Sequence, residues 1–188
     1  WTAVGKFTFE HSIAIDVLES LPEADGTRIG VMGHSLGGQG TLFLAAYDVR
    51  IACAAANCTA GSFRENPKVL EWARDRWYIY FKHLRPGLLE GKLPLIDFHH
   101  IMGLVAPRPL LDCSAMNDGI PATQRQRVLL DMKVMELYEL LGAAKSFAFY
   151  INGYGHDSPY ESRELMYAWL DAHLNPVAAT QPSLLISE

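Results

Sequence analysis

The chain has 188 residues, 49% hydrophobic and 20% charged, with a formal net charge of -5. That length suits one domain with a core of its own, and an acidic balance with no Lys/Arg cluster excludes nucleic acid and anionic membrane surfaces as partners. No apolar run approaches the roughly 20 residues of a membrane span. No signal peptide is expected at the start either, although the chain opens on Trp1 and a removed leader stays open.

Residues 1–10 show no clear period. From Phe9 to Leu21, Ile13, Val17 and Leu21 recur at i, i+4 and i+8, which predicts an amphipathic helix with those residues on its apolar face. Pro22, Asp25 and Gly26 break it. Arg28-Ile29-Gly30-Val31-Met32 then reads as a short buried strand, and the run from Gly38 to Tyr47 as a helix ending near Asp48. Residues 51–56 form the second strand. Cys53, Cys58 and Cys113 are too few and too irregular for a disulfide framework, so they are expected to be buried free thiols, which favours a reducing, cytoplasmic compartment.

Residues 57–107 mix aromatic and charged side chains and read as an inserted, cap-like helical segment over the top of the sheet. Asn66-Pro67 resembles a helix start, with Asn as N-cap and Pro at the first helical position. Whether Phe63, Trp72, Trp77, Tyr78, Tyr80 and Phe81 face a site or form that segment's own core stays open. Pro107-Arg108-Pro109 opens a third strand over 110–115. Thr123-x-x-Gln126 is a capping box; its helix carries Leu130, Val134, Leu137 and Leu141 on one face and stops at Gly142. A fourth strand over 146–151 ends at Asn152-Gly153. Ser158-Pro159-Tyr160-Glu161 is a second capping box, opening a helix that packs through Leu165, Met166, Trp169 and Leu170 and ends near Leu174. The tail 175–188 has no period and is expected to be loosely held, leaving 1–174 as a single domain. Strands alternating with helices predict parallel βαβ units, an α/β fold with a mostly parallel sheet covered on both faces.

Between the first strand and its helix lies Gly33-His34-Ser35-Leu36-Gly37. A Gly-x-Ser-x-Gly string in a strand–turn–helix context is a nucleophile elbow. The sharp turn strains the Ser35 backbone, and Cβ atoms at 33 and 37 are expected to collide with the neighbouring strand and helix. The Ser35 hydroxyl sits at a helix N-terminus, which favours developing negative charge. An elbow serine needs a base and a group to orient it, following in the order Ser, acid, His, each beyond a strand's C-terminal end. The third strand runs out into Asn117-Asp118 and the fourth into Gly155-His156, so Asp118 and His156 are the candidates. His156 takes and returns the Ser35 proton, Asp118 holds its tautomer, and the Leu36 N–H supplies an oxyanion donor. The competing acids are Asp157, which adjoins His156 where neighbouring side chains diverge, and Asp112, which lies inside a strand and is expected to pair with a polar neighbour. His34, Gln39, Asn57 and Tyr154 are the substrate-binding candidates. His11, His83 and His173 read as surface or boundary residues. His99-His100 does not easily share a metal, and no His-Glu-x-x-His or Cys-x-x-Cys spacing is present, so neither metal nor cofactor is expected.

With these residues placed, the chain resembles the α/β-hydrolase superfamily, closest to its dienelactone-hydrolase and acetyl-xylan-esterase-like branches. The stretch Arg28 to Gly38, Ala106-Pro107-Arg108-Pro109-Leu110-Leu111, Asn117-Asp118 and Gly155-His156 carry the likeness, which covers residues 10–175. It implies a cofactor-free serine esterase acting on small acyl esters, acetylated sugars among them. Dienelactone hydrolases carry Cys as nucleophile, so Ser35 points away from that reaction. A full sheet of this kind has eight strands, with the second oxyanion donor on the loop after the third; this chain resembles only the C-terminal half. A fragment, a half supplied by another chain, and a short form in its own right are the three explanations. In each, the strand at 28–32 has an open edge, expected to be covered by self-association or by the absent N-terminal half. The other readings of the same residues are a non-catalytic scaffold and an amidase, peptidase or thioesterase.

Overall fold

The computed structural model describes residues 2–59, 61–64, 66–119 and 124–175. Thr123 of the first expected capping box and the tail beyond Asn175 lie outside them. The element order is α1 (Ala3–Ser20), β1 (Ile29–His34), α2 (Leu36–Tyr47), β2 (Ile51–Asn57), α3 (Arg85–Leu89), α4 (Phe98–Gly103), β3 (Leu110–Ala115), α5 (Gln124–Leu140), β4 (Phe147–Asn152) and α6 (Tyr160–Leu174), with short 3-10 turns at Val69–Ala73, Lys82–Leu84 and Ala144–Ser146. The four strands pair in sequence order and in parallel. No described helix is long and apolar enough to cross a membrane.

Strand alternation sorts the core into two layers. Ala54, Ala56 and Leu110 join Leu42, Phe43, Leu130, Val134 and Tyr138 on the face covered by α2 and α5. Ala55, Leu111 and Cys113 turn the other way, onto Met166 of α6, with Leu165 and Trp169 beside it. Burial on both faces explains why these strands read as continuous apolar runs. Cys53, Cys58 and Cys113 are buried and unbridged.

Several helix details differ from the sequence reading. α1 begins at Ala3, not near Phe9, because Thr2 caps it: its Oγ1 accepts from Gly5 N at 3.1 Å. Its buried face is also the opposite one. Thr8 and Ile15 are buried, with Val4 and Phe7 packed beside the core, whereas Ile13, Val17 and Leu21 are exposed, Val17 at 53%. α1 lies on α2 at Gly40, where an added Cβ would meet His11 Cε1 at 2.8 Å. In α5, Tyr138 rather than Leu141 completes the buried face. Its hydroxyl donates to Arg108 O at 2.7 Å, and the helix stops before Gly142, which has φ +69°. α6 has Pro159, not Ser158, at its N-cap, with no side-chain cap bond. Asn66 Oδ1 accepts from Lys68 N at 2.9 Å and precedes a 3-10 turn rather than an α-helix. The aromatic residues between β2 and β3 divide. Phe63, Trp72 and Phe98 are buried against one another, with Phe63–Phe98 centroids at 5.6 Å and Trp72–Phe98 at 4.7 Å, while Trp77 and Tyr78 are exposed.

Candidate active site

The C-terminal ends of all four strands form one rim, and backbone hydrogen bonds continue from loop to loop beyond them. Ser35 N donates to Asn57 O at 2.9 Å, Cys58 N to Cys113 O at 2.8 Å, Met116 N to Asn152 O at 2.7 Å and Asn117 N to Tyr154 O at 3.0 Å. The segments carrying Ser35, Asp118 and His156 are therefore tied to one another before any side chain acts.

Ser35 has φ 56° and ψ -119°, a conformation costly for a residue with a side chain. The glycines around it make that turn possible. An added Cβ at Gly33 would lie 2.4 Å from Gly37 C, and one at Gly38 would lie 2.0 Å from Thr59 Cγ2 and 2.9 Å from Asn57 O. Gly37 itself meets nothing within 4 Å, so Gly38, not Gly37, is the second tight position.

Across 121 residues of chain, the Ser35 hydroxyl reaches His156 Nε2 at 2.7 Å. His156 Nδ1 lies 3.0 Å from Asp118 Oδ2. Asp118 accepts only if Nδ1 carries the proton, which leaves the Nε2 lone pair free to accept from Ser35. The Asp118 side chain is buried. Asn57 is fully buried, which corrects its expected contact with substrate: its Nδ2 donates to His34 Nδ1 and to Asp157 O, both at 3.0 Å. It anchors the His156 loop. His34 lies with its ring centroid 5.0 Å from that of His156. Burial, then the neighbouring His156, pushes the His34 pKa down.

The rejected acids have other partners. The Asp157 carboxylate accepts from Ser158 N at 2.7 Å. Asp112 faces α5, with Arg127 Nη2 at 3.7 Å, and burial raises its pKa. Beside it, burial and the Asp112 charge push the Asp131 carboxyl up to about 9.

Ser35 and His156 open onto a cavity of about 190 Å³, also lined by Gln39, Cys58, Thr59, Glu71, Trp72, Arg74 and Tyr80. Gln39 is thus at the site. Tyr154 is not among the lining residues; its hydroxyl lies 3.4 Å from Glu161 Oε1 on the outer surface. The sequence reading missed Cys58 and Thr59, although they follow β2 on the rim where Asp118 and His156 follow β3 and β4. It also missed Glu71 and Arg74, an ion pair at 3.3 Å that no motif marks. Cys58 Sγ, an Asp118 oxygen and a His156 nitrogen lie within 4.8 Å of one another. Burial, with the Asp118 carboxylate adding to it, pushes the Cys58 thiol up to about 11, and Asp118 and His156 are engaged with each other.

Comparison with known proteins agrees with this architecture. Residues 9–82 match the family described as BAAT / Acyl-CoA thioester hydrolase C terminal. Carbohydrate esterase MZ0003, from an unknown prokaryotic organism, is 31% identical over 126 residues, covering 63% of this chain and 29% of that protein. The putative hydrolase YtaP of Bacillus subtilis (strain 168) is 24% identical over 171 residues, 88% of this chain and 54% of its own. The solved glucuronoyl esterase from Solibacter usitatus superimposes with a TM-score of 0.81 at 21% identity, over 92% of this chain and 49% of that one. The chain has the fold of the α/β-hydrolases. It spans about half the length of that esterase.

Proposed function

We propose that this α/β-hydrolase chain cleaves carboxylic esters of small acyl groups carried on a carbohydrate, through an acyl-enzyme on Ser35. The observation that carries this reading is the relay from Ser35 Oγ through His156 to Asp118, at 2.7 and 3.0 Å. The likeness to a carbohydrate esterase and to a glucuronoyl esterase supports the substrate class.

The steps follow from the relay. Ser35 Oγ adds to the ester carbonyl as its proton passes to His156 Nε2. Asp118 holds Nδ1–H and stabilises the imidazolium. The carbonyl oxygen becomes an oxyanion beside the Leu36 N–H, which stands in the first turn of α2 and so has no intrahelical acceptor. Collapse breaks the C–O bond, and His156 returns the proton to the departing alcohol. Water, deprotonated by the same imidazole, then releases the acid and restores Ser35.

Ser35→Ala is expected to abolish the burst of nitrophenol from p-nitrophenyl acetate, cutting turnover by roughly 10⁴-fold or more. Fluorophosphonate should label the parent chain and not the variant. Unlabelled Ser35 with equal turnover in the variant sinks the reading and leaves a binding scaffold. The family matched over residues 9–82 gives a second reading, thioester hydrolysis by the same residues. Side-by-side rates on acetylated sugars and short acyl-CoA thioesters decide between them.

A further inference from the structure

Three strand ends bring three different kinds of metal ligand to one point. Cys58 lies beyond β2, Asp118 beyond β3 and His156 beyond β4. The Cys58 sulfur, a carboxylate oxygen of Asp118 and a ring nitrogen of His156 all lie within 4.8 Å of one another. We propose that Cys58, Asp118 and His156 form an inhibitory site for a thiophilic divalent cation such as zinc, which silences the relay by taking the lone pair of its base. Inhibition rests on His156 being that base, as read above; binding of the ion does not.

A tetrahedral ion with bonds of about 2.0–2.3 Å holds its ligand atoms roughly 3.3–3.8 Å apart, so closing this set takes movements of about 1 Å. The backbone already fixes the segments that carry it. Cys58 N donates to Cys113 O at 2.8 Å and Asp118 N to Ala115 O at 3.2 Å, while Asn57 Nδ2 holds the His156 loop through Asp157 O at 3.0 Å. Cys58 has left-handed backbone, φ 53°, which is uncommon for a residue with a side chain. It is buried, yet it lines the cavity onto which Ser35 and His156 open, and that cavity gives an ion its entry path. The hydrogen bonds of the sulfur to Asn57 Oδ1 and Asp157 O are long, at 3.5 and 3.7 Å. Little is lost when it turns to a metal.

The donor set selects the ion. Thiolate and imidazole favour zinc-like cations over magnesium and calcium, which take oxygen ligands. A dication held by one thiolate, one carboxylate and one neutral imidazole leaves no net charge in a buried place, with a fourth position for water. On binding, the Cys58 S–H bond breaks; its electron pair goes to the metal and its proton to solvent. Burial, with the Asp118 carboxylate adding to it, pushes that thiol up to about 11. Displacing its proton therefore keeps the affinity moderate, which suits a reversible inhibitor and not a resident cofactor. A neutral imidazole has one lone pair. Once the metal holds it, the other ring nitrogen keeps the proton, and no acceptor remains for the Ser35 hydroxyl.

The test titrates Zn²⁺ into the metal-free parent chain and into Cys58→Ser, by calorimetry and against p-nitrophenyl acetate hydrolysis. The parent is expected to bind the ion and lose its activity, and a chelator should restore it. Cys58→Ser, measured against its own metal-free rate, should need roughly tenfold more Zn²⁺ for the same inhibition and bind it correspondingly more weakly. Co²⁺ reads the ligand directly. A near-ultraviolet thiolate-to-cobalt charge-transfer band should appear in the parent and in Ser35→Ala, and be absent from Cys58→Ser. Cys58→Ala serves the same comparison if the serine variant does not fold. Equal Zn²⁺ binding and inhibition in parent and variant overturn the site and leave an adventitious ion only. So does a parent without the cobalt band, or one that hydrolyses ester undiminished with zinc bound. Binding through Cys58 in a parent chain that turns over no ester supports the site and removes the hydrolase reading alone.

Discussion

At the scale of single residues, the site depends on where a side chain is forbidden. Ser35 adopts its turn only because Gly33 and Gly38 let strand and helix close upon each other. Gly38→Ala would drive a methyl to 2.0 Å from Thr59 Cγ2 and 2.9 Å from the Asn57 carbonyl oxygen, the second of which is backbone. A loss of about 2 kcal/mol or more is expected, seen as a lower Tm together with lost fluorophosphonate labelling. Gly37→Ala, one position earlier, points into open space and should change stability by about 0.5 kcal/mol or less. Thermal denaturation of the two variants side by side checks the contrast; equal destabilisation would show that the turn's constraint lies elsewhere.

At the scale of elements, α1 is fastened to the end of α2 by charge as well as by packing. Arg50 donates to Asp48 Oδ1 at 2.9 Å and Oδ2 at 2.6 Å, and also reaches Asp16 and Glu19 on α1, both at 2.6 Å. Ser12 adds a bond to Asp48 at 2.9 Å. The Arg50 guanidinium holds the Asp48 carboxyl at about 2, below its ordinary 3.8. A carboxyl depressed on folding binds fewer protons in the native state, so its contribution is complete above pH 3.8 and is lost as pH falls towards 2. Asp48→Asn is expected to cost about 1–2 kcal/mol at neutral pH. The variant should also lose less stability than the parent between about pH 4 and pH 2, as urea titrations across that window would read. A parallel acid decline in both proteins would assign the acid sensitivity to another group.

At the scale of the whole molecule, the sheet ends in an edge strand on either side, β1 and β4. Among the described residues β1 pairs only with β2, so one of its edges presents unpaired backbone groups. Nearby α1 exposes Phe9, Ile13, Val17 and Leu21 along one stripe, more contiguous apolar surface than an isolated surface helix carries. Prepared alone, the chain is expected to self-associate, with sedimentation velocity showing larger species as concentration rises. Charged substitutions on the stripe, such as Val17→Glu, should shift it towards monomer. A monomer persisting at high concentration in the parent chain would show that this edge and stripe are tolerated in water.

The strand–Gly-x-Ser-x-Gly–helix string marked Ser35, and the rule that acid and base follow strand ends marked Asp118 and His156. Both are local matters, set by apolar runs and the turn residues that close them. The four strands and their parallel order were legible for the same reason. Which face of α1 is buried was not, because Ile13, Val17 and Leu21 and the face through Phe7 and Ile15 are both apolar; contact with Gly40 of α2 chose between them. Gly38 and Asn57 gained their roles, and Glu71 and Arg74 their place in the cavity, from segments far away in the chain. Short-range pattern determines where strands and turns begin and which side chains follow them. Only long-range packing decides which atoms then stand within reach of one another.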